Sequence, residues 1–509
     1  MSKIPPASPE IERKPWQTGL APVYIGTFLW IAFFDQLGRR ALPVGGLLPS
    51  VLGAAVAGPL AYLLLFRPSA LWGHRVGKPL GVIATSTFGV RGAAIVPGLL
   101  IGVAQIVLYA VAVGYAIELT FQSLVLVGLV NPAALRPIQT GGAVLKSPLF
   151  LATALIWAIL TALISIRFTR WIAYLMQYFP IFPAIAIGVA MMVMMVGLRS
   201  FVPTEIDPAQ PGIRLTIGAA SLRSFLLTLQ WVFAFSAMGG LMAADWGSAS
   251  LTQRDVTTGG WVGVALAPAI LSALALISVA GYQGSLRTER IFEESRTTRS
   301  TIQEIGPRGE IGSTGPVSGL DAPSFTFRAV ANGGFGRYLG GLILITFGLA
   351  SLAPAVYSSF TFGLQFKALG PGISRLTWTL LGACTAWLLI VGGWFDRTEQ
   401  VFNLLGASFA PAAGAIAADY RRHKGKWPGP RSGINPAGLI AWLIGLGVGL
   451  TPTIARTLGA SNLALLQPAA LAAFVAAFLA YEILALFRLE SPFTEHGWAV
   501  PEGSDSAIS

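Results

Sequence analysis

Apolar runs long enough to cross a bilayer as helices recur along nearly the whole chain, from residue 19 to residue 486. A helix rises about 1.5 Å per residue, so about 20 apolar residues span the hydrocarbon layer. Twelve such runs can be drawn, at 19–36, 43–66, 94–117, 148–166, 171–197, 223–245, 259–281, 338–364, 376–394, 400–418, 435–455 and 463–486. The stretch 119–133 is also apolar, but Asn131-Pro132 interrupts it, and it is expected to lie at the interface outside the spans. Only 11% of the residues are charged, against about 25% in soluble domains. The expected fold class is therefore an all-α integral membrane protein with twelve transmembrane helices.

The net charge of +12 follows the membrane reading, because basic residues flank spans and orient them. No basic patch is interleaved with base-stacking aromatics, so the expected partner is the lipid bilayer and not a nucleic acid. With the N-terminus cytoplasmic, eighteen Lys and Arg fall on inside segments and nine on short outside loops. The run Arg421-Arg422-His423-Lys424-Gly425-Lys426 contributes most. Both termini are thus expected in the cytoplasm and the protein in the cell membrane. The polar start with Arg13-Lys14 predicts no cleavable signal peptide. The long, arginine-bearing loop after Gly281 lies outside in this scheme, against the rule. If 259–281 were not a crossing, everything after it would invert.

Enzymatic chemistry finds little footing. One cysteine (Cys384) and three scattered histidines (His74, His423, His496) give no disulfide framework and no metal spacing. No Gly-Lys-Ser/Thr phosphate loop is present, so ATP-driven transport is not expected. No cofactor is expected beyond a coupling H+ or Na+. A solute carrier needs polar groups and interrupted helices near the midplane. Candidates are Asp35, next to Phe33 and Phe34, and Gln105, with Tyr109 one turn later on the same face. Others are Phe235-Ser236 and Gly239-Gly240 in the sixth run, where paired glycines weaken a helix. The eighth run adds Thr346, Ser351, Pro354, Tyr357, Ser358 and Ser359. Each has a plainer reading. Asp35 can be a solvated acid paired with Arg39 or Arg40, Gln105 an interhelical hydrogen bond, the glycines close packing, and the hydroxyls back-bonds to their own helix.

Several stretches together resemble the nucleobase–cation symporter (purine/cytosine permease) family, near its cytosine-permease-like members. They are Ser86-Thr87-Phe88-Gly89-Val90-Arg91-Gly92-Ala93 with Pro97-Gly98, then Gln105, then Ala244-Asp245-Trp246. The longest runs from Gly406 through Pro411, Gly414 and Asp419-Tyr420 to Gly433-Ile434-Asn435-Pro436. The resemblance implies a five-plus-five inverted-repeat transporter fold with two additional helices, spans 1 and 6 broken, and spans 3 and 8 completing the site. It also implies Gln105 as a substrate contact. The family's own site is largely altered here. Leu108 stands for a stacking tryptophan, Ser236 for an aromatic residue and Phe347 for a base-reading asparagine. Ala350-Ser351 replaces a Thr-Thr sodium pair, Gln36 and Leu37 replace glycines, and Asp35 replaces a neutral residue.

The organisation expected is a tail at 1–18, a first repeat at 19–197, an outer loop at 198–222 and a second repeat at 223–418 containing the loop 282–337. A basic loop at 419–434, two further spans at 435–486 and a tail at 487–509 follow. The function expected is a secondary transporter for a small neutral planar heterocycle such as cytosine, a purine or a hydantoin. Gln105, Tyr109, Phe33, Phe34, Phe235, Ser236, Gly239, Gly240 and Phe347 would contact substrate, and Asp35 and Ser351 the coupling ion. A non-transporting sensor or scaffold on the same frame, or the same machinery with another solute, are the alternatives.

Overall fold

The computed structural model describes residues 13–19, 31–140, 143–168, 174, 176–203, 215–304, 326–458 and 467–494. Among these residues, ten helices are long and apolar enough to cross a membrane: α2 (Leu47–Val76), α3 (Val90–Val127), α4 (Pro148–Arg167), α5 (Met176–Ser200), α6 (Ile217–Leu241), α7 (Gln253–Glu289), α8 (Gly336–Leu369), α10 (Thr398–Arg422), α11 (Pro436–Ala455) and α12 (Ala469–Leu486). The apolar helix α9 (Arg375–Val391) is shorter. Of the expected first span only α1 (Ile31–Arg40) is described; residues 20–30 lie outside the described residues. The chain is a multi-pass, all-α membrane protein.

Helix ends follow local chemistry. Ser147 accepts a hydrogen bond from Phe150 N at 3.2 Å, with Pro148 at the first helical position of α4. Thr252 and Asp255 form a reciprocal capping box at the start of α7. One sequence expectation is overturned at a helix end. Residues 119–127 are not an interfacial segment but the last third of the Leu100–Val127 part of α3, which runs unbroken after the non-helical Val96. No breaker precedes Gly128, which takes φ +87° and stops the helix in the left-handed conformation. Asn131-Pro132 lies past that stop and instead caps a single 3-10 turn, Pro132–Leu135.

The helix α7 crosses the bundle. At its start Trp16 N donates to Asp255 Oδ1 at 3.2 Å, and Lys14 N to Ala249 O at 2.8 Å. Further along, a Cβ on Gly281 would lie 1.9 Å from Met194 O, near the end of α5, and the helix continues to Glu304, so the expected loop 282–337 begins as helix. One face of the molecule, the tail face, therefore holds Lys14, the segment after α10 and Phe493, which bridges to Arg431. The opposite, far face holds the short β1–β2 hairpin (Ile138–Thr140 with Ala143–Leu145) and a lid helix, Phe327–Gly334.

Equivalent helices of the two halves pack on one another: α3 on α8, and α4 on α9. The equivalents α2 and α7 each contain one π-helical turn, Ala61–Phe66 and Trp261–Leu266. Tyr62 and Trp261 meet there with ring centroids 4.7 Å apart.

On the tail face, the stretches 85–91 and 431–435 are bound backbone to backbone. Val90 N donates to Arg431 O at 3.0 Å, Arg91 N to Gly433 O at 2.8 Å and Asn435 N to Phe88 O at 2.8 Å. Ser86 and Thr87 hydroxyls each donate to Asp419 Oδ2 at 2.8 Å. Gly89 has φ +79°, and a Cβ there would meet Gly433 O at 2.5 Å, so this close approach requires glycine.

Candidate functional site

Midway along α3, a cavity of about 40 Å³ lies between α3, α6 and α8, room for a few waters. Gln105 and Leu108 face it from α3, Phe235, Ser236 and Gly239 from α6, and Pro354, Tyr357 and Ser358 from α8. Met176, Met238, Met242, Trp246, Val264 and Leu405 complete the wall. No charged side chain lines it.

Gln105 is 1% exposed. Its Nε2 points at two thioethers, Met238 Sδ at 3.8 Å and Met242 Sδ at 3.9 Å. Sulfur is a weak acceptor. Its Oε1 is buried and has no hydrogen-bond partner. An amide so placed is costly for the fold alone, since a buried unsatisfied polar atom costs about 1–3 kcal/mol.

The α6 helix continues through the Gly239-Gly240 pair and ends at Leu241, followed by a second short helix, Ala243–Ser248. Gly239 lines the cavity, whereas Gly240 serves close packing: a Cβ there would lie 2.4 Å from Leu65 Cβ on α2. In α8 the helix is interrupted at Ser351, whose hydroxyl donates to Phe347 O at 3.0 Å. Pro354, three residues on, supplies no N–H to the preceding turn.

Toward the far face an aromatic layer closes the cavity. Phe235 lies 4.8 Å from Phe33 and 5.1 Å from Phe402, ring centroid to centroid, and Phe402 lies 5.6 Å from Trp231. Beyond it is a polar layer. Gln36 Nε2 donates to Thr398 Oγ1 at 2.6 Å, and Arg40 pairs with Glu399. Arg328, from the lid helix, donates through Nε to Asp35 Oδ2 at 2.5 Å and through NH1 to Glu118 Oε1 at 2.5 Å. Its backbone N–H reaches Asp35 Oδ1 at 3.2 Å. The two carboxylates hold the Arg328 guanidinium well above its usual pKa against the opposing effect of burial.

The residues singled out from sequence thus divide. Gln105, Phe235, Ser236 and Gly239 converge on the cavity, and Phe33 backs Phe235. Phe34 is buried beside Phe33, at 5.8 Å. Tyr109 turns away: its hydroxyl bonds Ala158 O and lies 2.6 Å from Thr161 Oγ1, both on α4. Phe347 packs on Phe327 of the lid helix at 5.4 Å. Asp35 is neither solvated nor joined to Arg39 or Arg40; it is fully buried and takes Arg328. Sequence reasoning did not single out Met238, Met242 or Leu405 for the wall. Only the three-residue spacing of Met238 from Phe235 and of Met242 from Gly239 points to those two, and no spacing points to Leu405.

No protein-family model and no curated protein matches the chain. Solved structures do match. An inward-facing conformation of Mhp1 aligns with TM-score 0.62 at 14% identity, over 96% of this chain and 96% of that one. Mhp1 closed around bromovinylhydantoin, described as a nucleobase-cation-symport-1 family transporter, aligns at 0.59 and 14%, over 96% and 98%. An outward-open Na+-coupled sialic acid symporter aligns at 0.55 and 9%, over 95% and 92%. The chain therefore has the LeuT fold, the five-plus-five inverted-repeat architecture of membrane symporters. The neighbours are transporters and not enzymes.

Proposed function

We propose that the protein is a secondary active transporter of the cell membrane that moves a small neutral planar heterocycle by alternating access, with cytoplasmic termini. The observation that carries the reading is Gln105, whose buried amide faces a cavity without charged side chains and has an acceptor oxygen with no donor. A heterocycle bearing an N–H beside a carbonyl satisfies both ends of that amide, while Phe235, Leu108 and Leu405 cover its faces. A charged solute would be desolvated there without a partner. The nucleobase–cation symporter resemblance and the fold shared with Mhp1 support the same solute class.

In this reading Gln105, Ser236 and Gly239 bind the solute, Phe235 with Phe33 and Phe34 forms its far-face wall, and Tyr109, Gly240 and Phe347 brace the helices around it. The transport cycle is driven by H+ or Na+. Ser351, at the interruption of α8, is the described candidate for a sodium ligand, and Asp35 the candidate proton acceptor once Arg328 has left it.

The test is a panel of nucleobases, hydantoins, vitamins and amino acids, read by thermal stabilisation with and without sodium and at two pH values, then by counterflow in proteoliposomes. Stabilisation and counterflow by one neutral heterocycle are expected. Stabilisation without counterflow would identify a sensor instead, and a response only to charged solutes would sink the neutral-solute assignment.

A further inference from the structure

Gln105, Leu108, Tyr115, Glu118 and Gln122 follow one another at three, seven, three and four residues along α3, so they form one stripe of that helix. Its inner part lines the central cavity. Its outer part, Glu118 and Gln122, lines a second cavity of about 430 Å³ on the far face. The turn Pro132–Leu135, the start of α4 and Asn332 of the lid helix close the other sides. The ion-paired layer of Arg328 separates the two cavities.

The outer cavity is rich in acceptors. Gln122 Nε2 donates to Glu118 Oε1 at 3.2 Å, which fixes the orientation of the amide. Gln122 Oε1 is then an acceptor, buried and without a partner. Glu118 Oε2 has no hydrogen bond either. Lys146 Nζ, which lines the same cavity, stands 3.8 Å from it and 3.3 Å from Asp396 Oδ2, and Arg328 NH1 takes the other oxygen of the Glu118 carboxylate at 2.5 Å. The connected ion pairs join Asp35, Glu118 and Asp396 to Arg328 and Lys146, one more negative than positive charge. Lys146, Ser147 and Asn332 also line the cavity. Its apolar part holds Phe121 and Phe150, with centroids 6.3 Å apart, and Leu135, and Lys146 Nζ lies 5.6 Å from the Phe150 centroid.

We propose that this outer cavity is a second binding site, for a small amphipathic primary ammonium compound. The ammonium donates to Gln122 Oε1 and Glu118 Oε2, and the apolar body lies against Phe121, Phe150 and Leu135. Because Asn332 forms part of the wall, an occupant also ties the lid helix to α3 and α4. The proposal concerns binding alone and stands apart from the identity of the transported solute.

The test uses the purified full chain in detergent, with phenylethylammonium chloride as probe and 2-phenylethanol as its neutral counterpart, followed by calorimetry. Saturable binding of the ammonium compound is expected, at least about tenfold tighter than the alcohol, as a charge-assisted hydrogen bond implies. Gln122→Leu should weaken it about tenfold by the same argument. Leu135→Trp fills the cavity from a partly buried turn, away from the α3 packing, and should abolish binding even where Gln122→Leu fails to fold. Gln105→Ala should leave binding unchanged. Absence of saturable binding overturns the proposal. So does binding that survives Gln122→Leu and Leu135→Trp but is lost in Gln105→Ala, because the compound would then occupy the central cavity.

Discussion

Arg328 and Asp35 meet through two contacts, a guanidinium Nε to Oδ2 at 2.5 Å and a backbone N–H to Oδ1 at 3.2 Å. They join the lid helix to the first span across 293 residues of sequence. Both side chains are largely buried, at 15% and 1% exposure. A buried pair adds little net stability over an apolar one, but removing one partner strands the other. Arg328→Ala should therefore destabilise the far-face closure by about 3–5 kcal/mol. In a Cys384→Ser background, Gln36→Cys should react faster with an impermeant thiol reagent once Arg328 is removed. An unchanged labelling rate would mean that the pair does not hold the lid.

Gln105 and Tyr109 lie one turn apart and should respond differently. Gln105→Leu removes the unpartnered acceptor and should lower solute affinity about tenfold or more while leaving the melting temperature equal or higher, since no buried oxygen remains unsatisfied. Tyr109→Phe loses the bonds to Ala158 and Thr161 and should cost about 1 kcal/mol of stability with affinity unchanged. Binding titrations and melting curves on both variants check this; affinity lost in Tyr109→Phe alone would reverse the assignment.

Gly240 tests how α6 is held. A Cβ there lies 2.4 Å from Leu65 Cβ, and further contacts at 3.0 and 3.2 Å are to Leu65 backbone atoms, which cannot rotate aside. Gly240→Leu should cost more than the about 1–3 kcal/mol typical of overpacking, and Gly240→Ala should fall within that range. Denaturation of the two variants in one detergent measures it, and an Ala variant as stable as wild type would show that α2 and α6 can separate freely.

His423, just beyond α10, hydrogen-bonds Asp419, and that bond raises its pKa above the usual value, with burial opposing. The folded state thus binds the proton more tightly than the unfolded chain. The stabilisation is fully present below the unfolded pKa of about 6.5 and is lost as pH rises through the higher folded pKa. Melting temperature should fall across that window, and His423→Asn should flatten this part of the profile. An identical pH slope in the variant would assign the effect to another group.

Much of the fold was legible because crossing a bilayer imposes length and apolarity on each helix separately. The starts of α4, α8, α10 and α11 fall within two residues of the expected runs, and α4 and α11 begin at local signals, Ser147-Pro148 and Asn435-Pro436. The outer end of α3 was not legible in the same way. Asn131-Pro132 breaks the pattern, but Gly128 ends the helix, and the intervening residues carry no periodic signal. The resembling motifs at 86–93 and 406–436 were visible as two separate blocks, and only the folded chain shows that they bind each other through Asp419, Gly433 and Asn435.

By itself, then, the sequence determined the solvent of this protein, the rough limits of several of its apolar runs, and Gln105 as a polar group placed where polarity is costly. These are properties of single segments, set by helix rise, side-chain transfer and local capping. Tertiary structure decided which polar groups acquire partners. It gave Asp35 to Arg328 instead of its neighbours Arg39 and Arg40, turned Tyr109 to α4, and left Gln105 facing two thioethers across the central cavity. Such pairings depend on which helices pack side by side, and nothing in the spacing of residues along one helix encodes that.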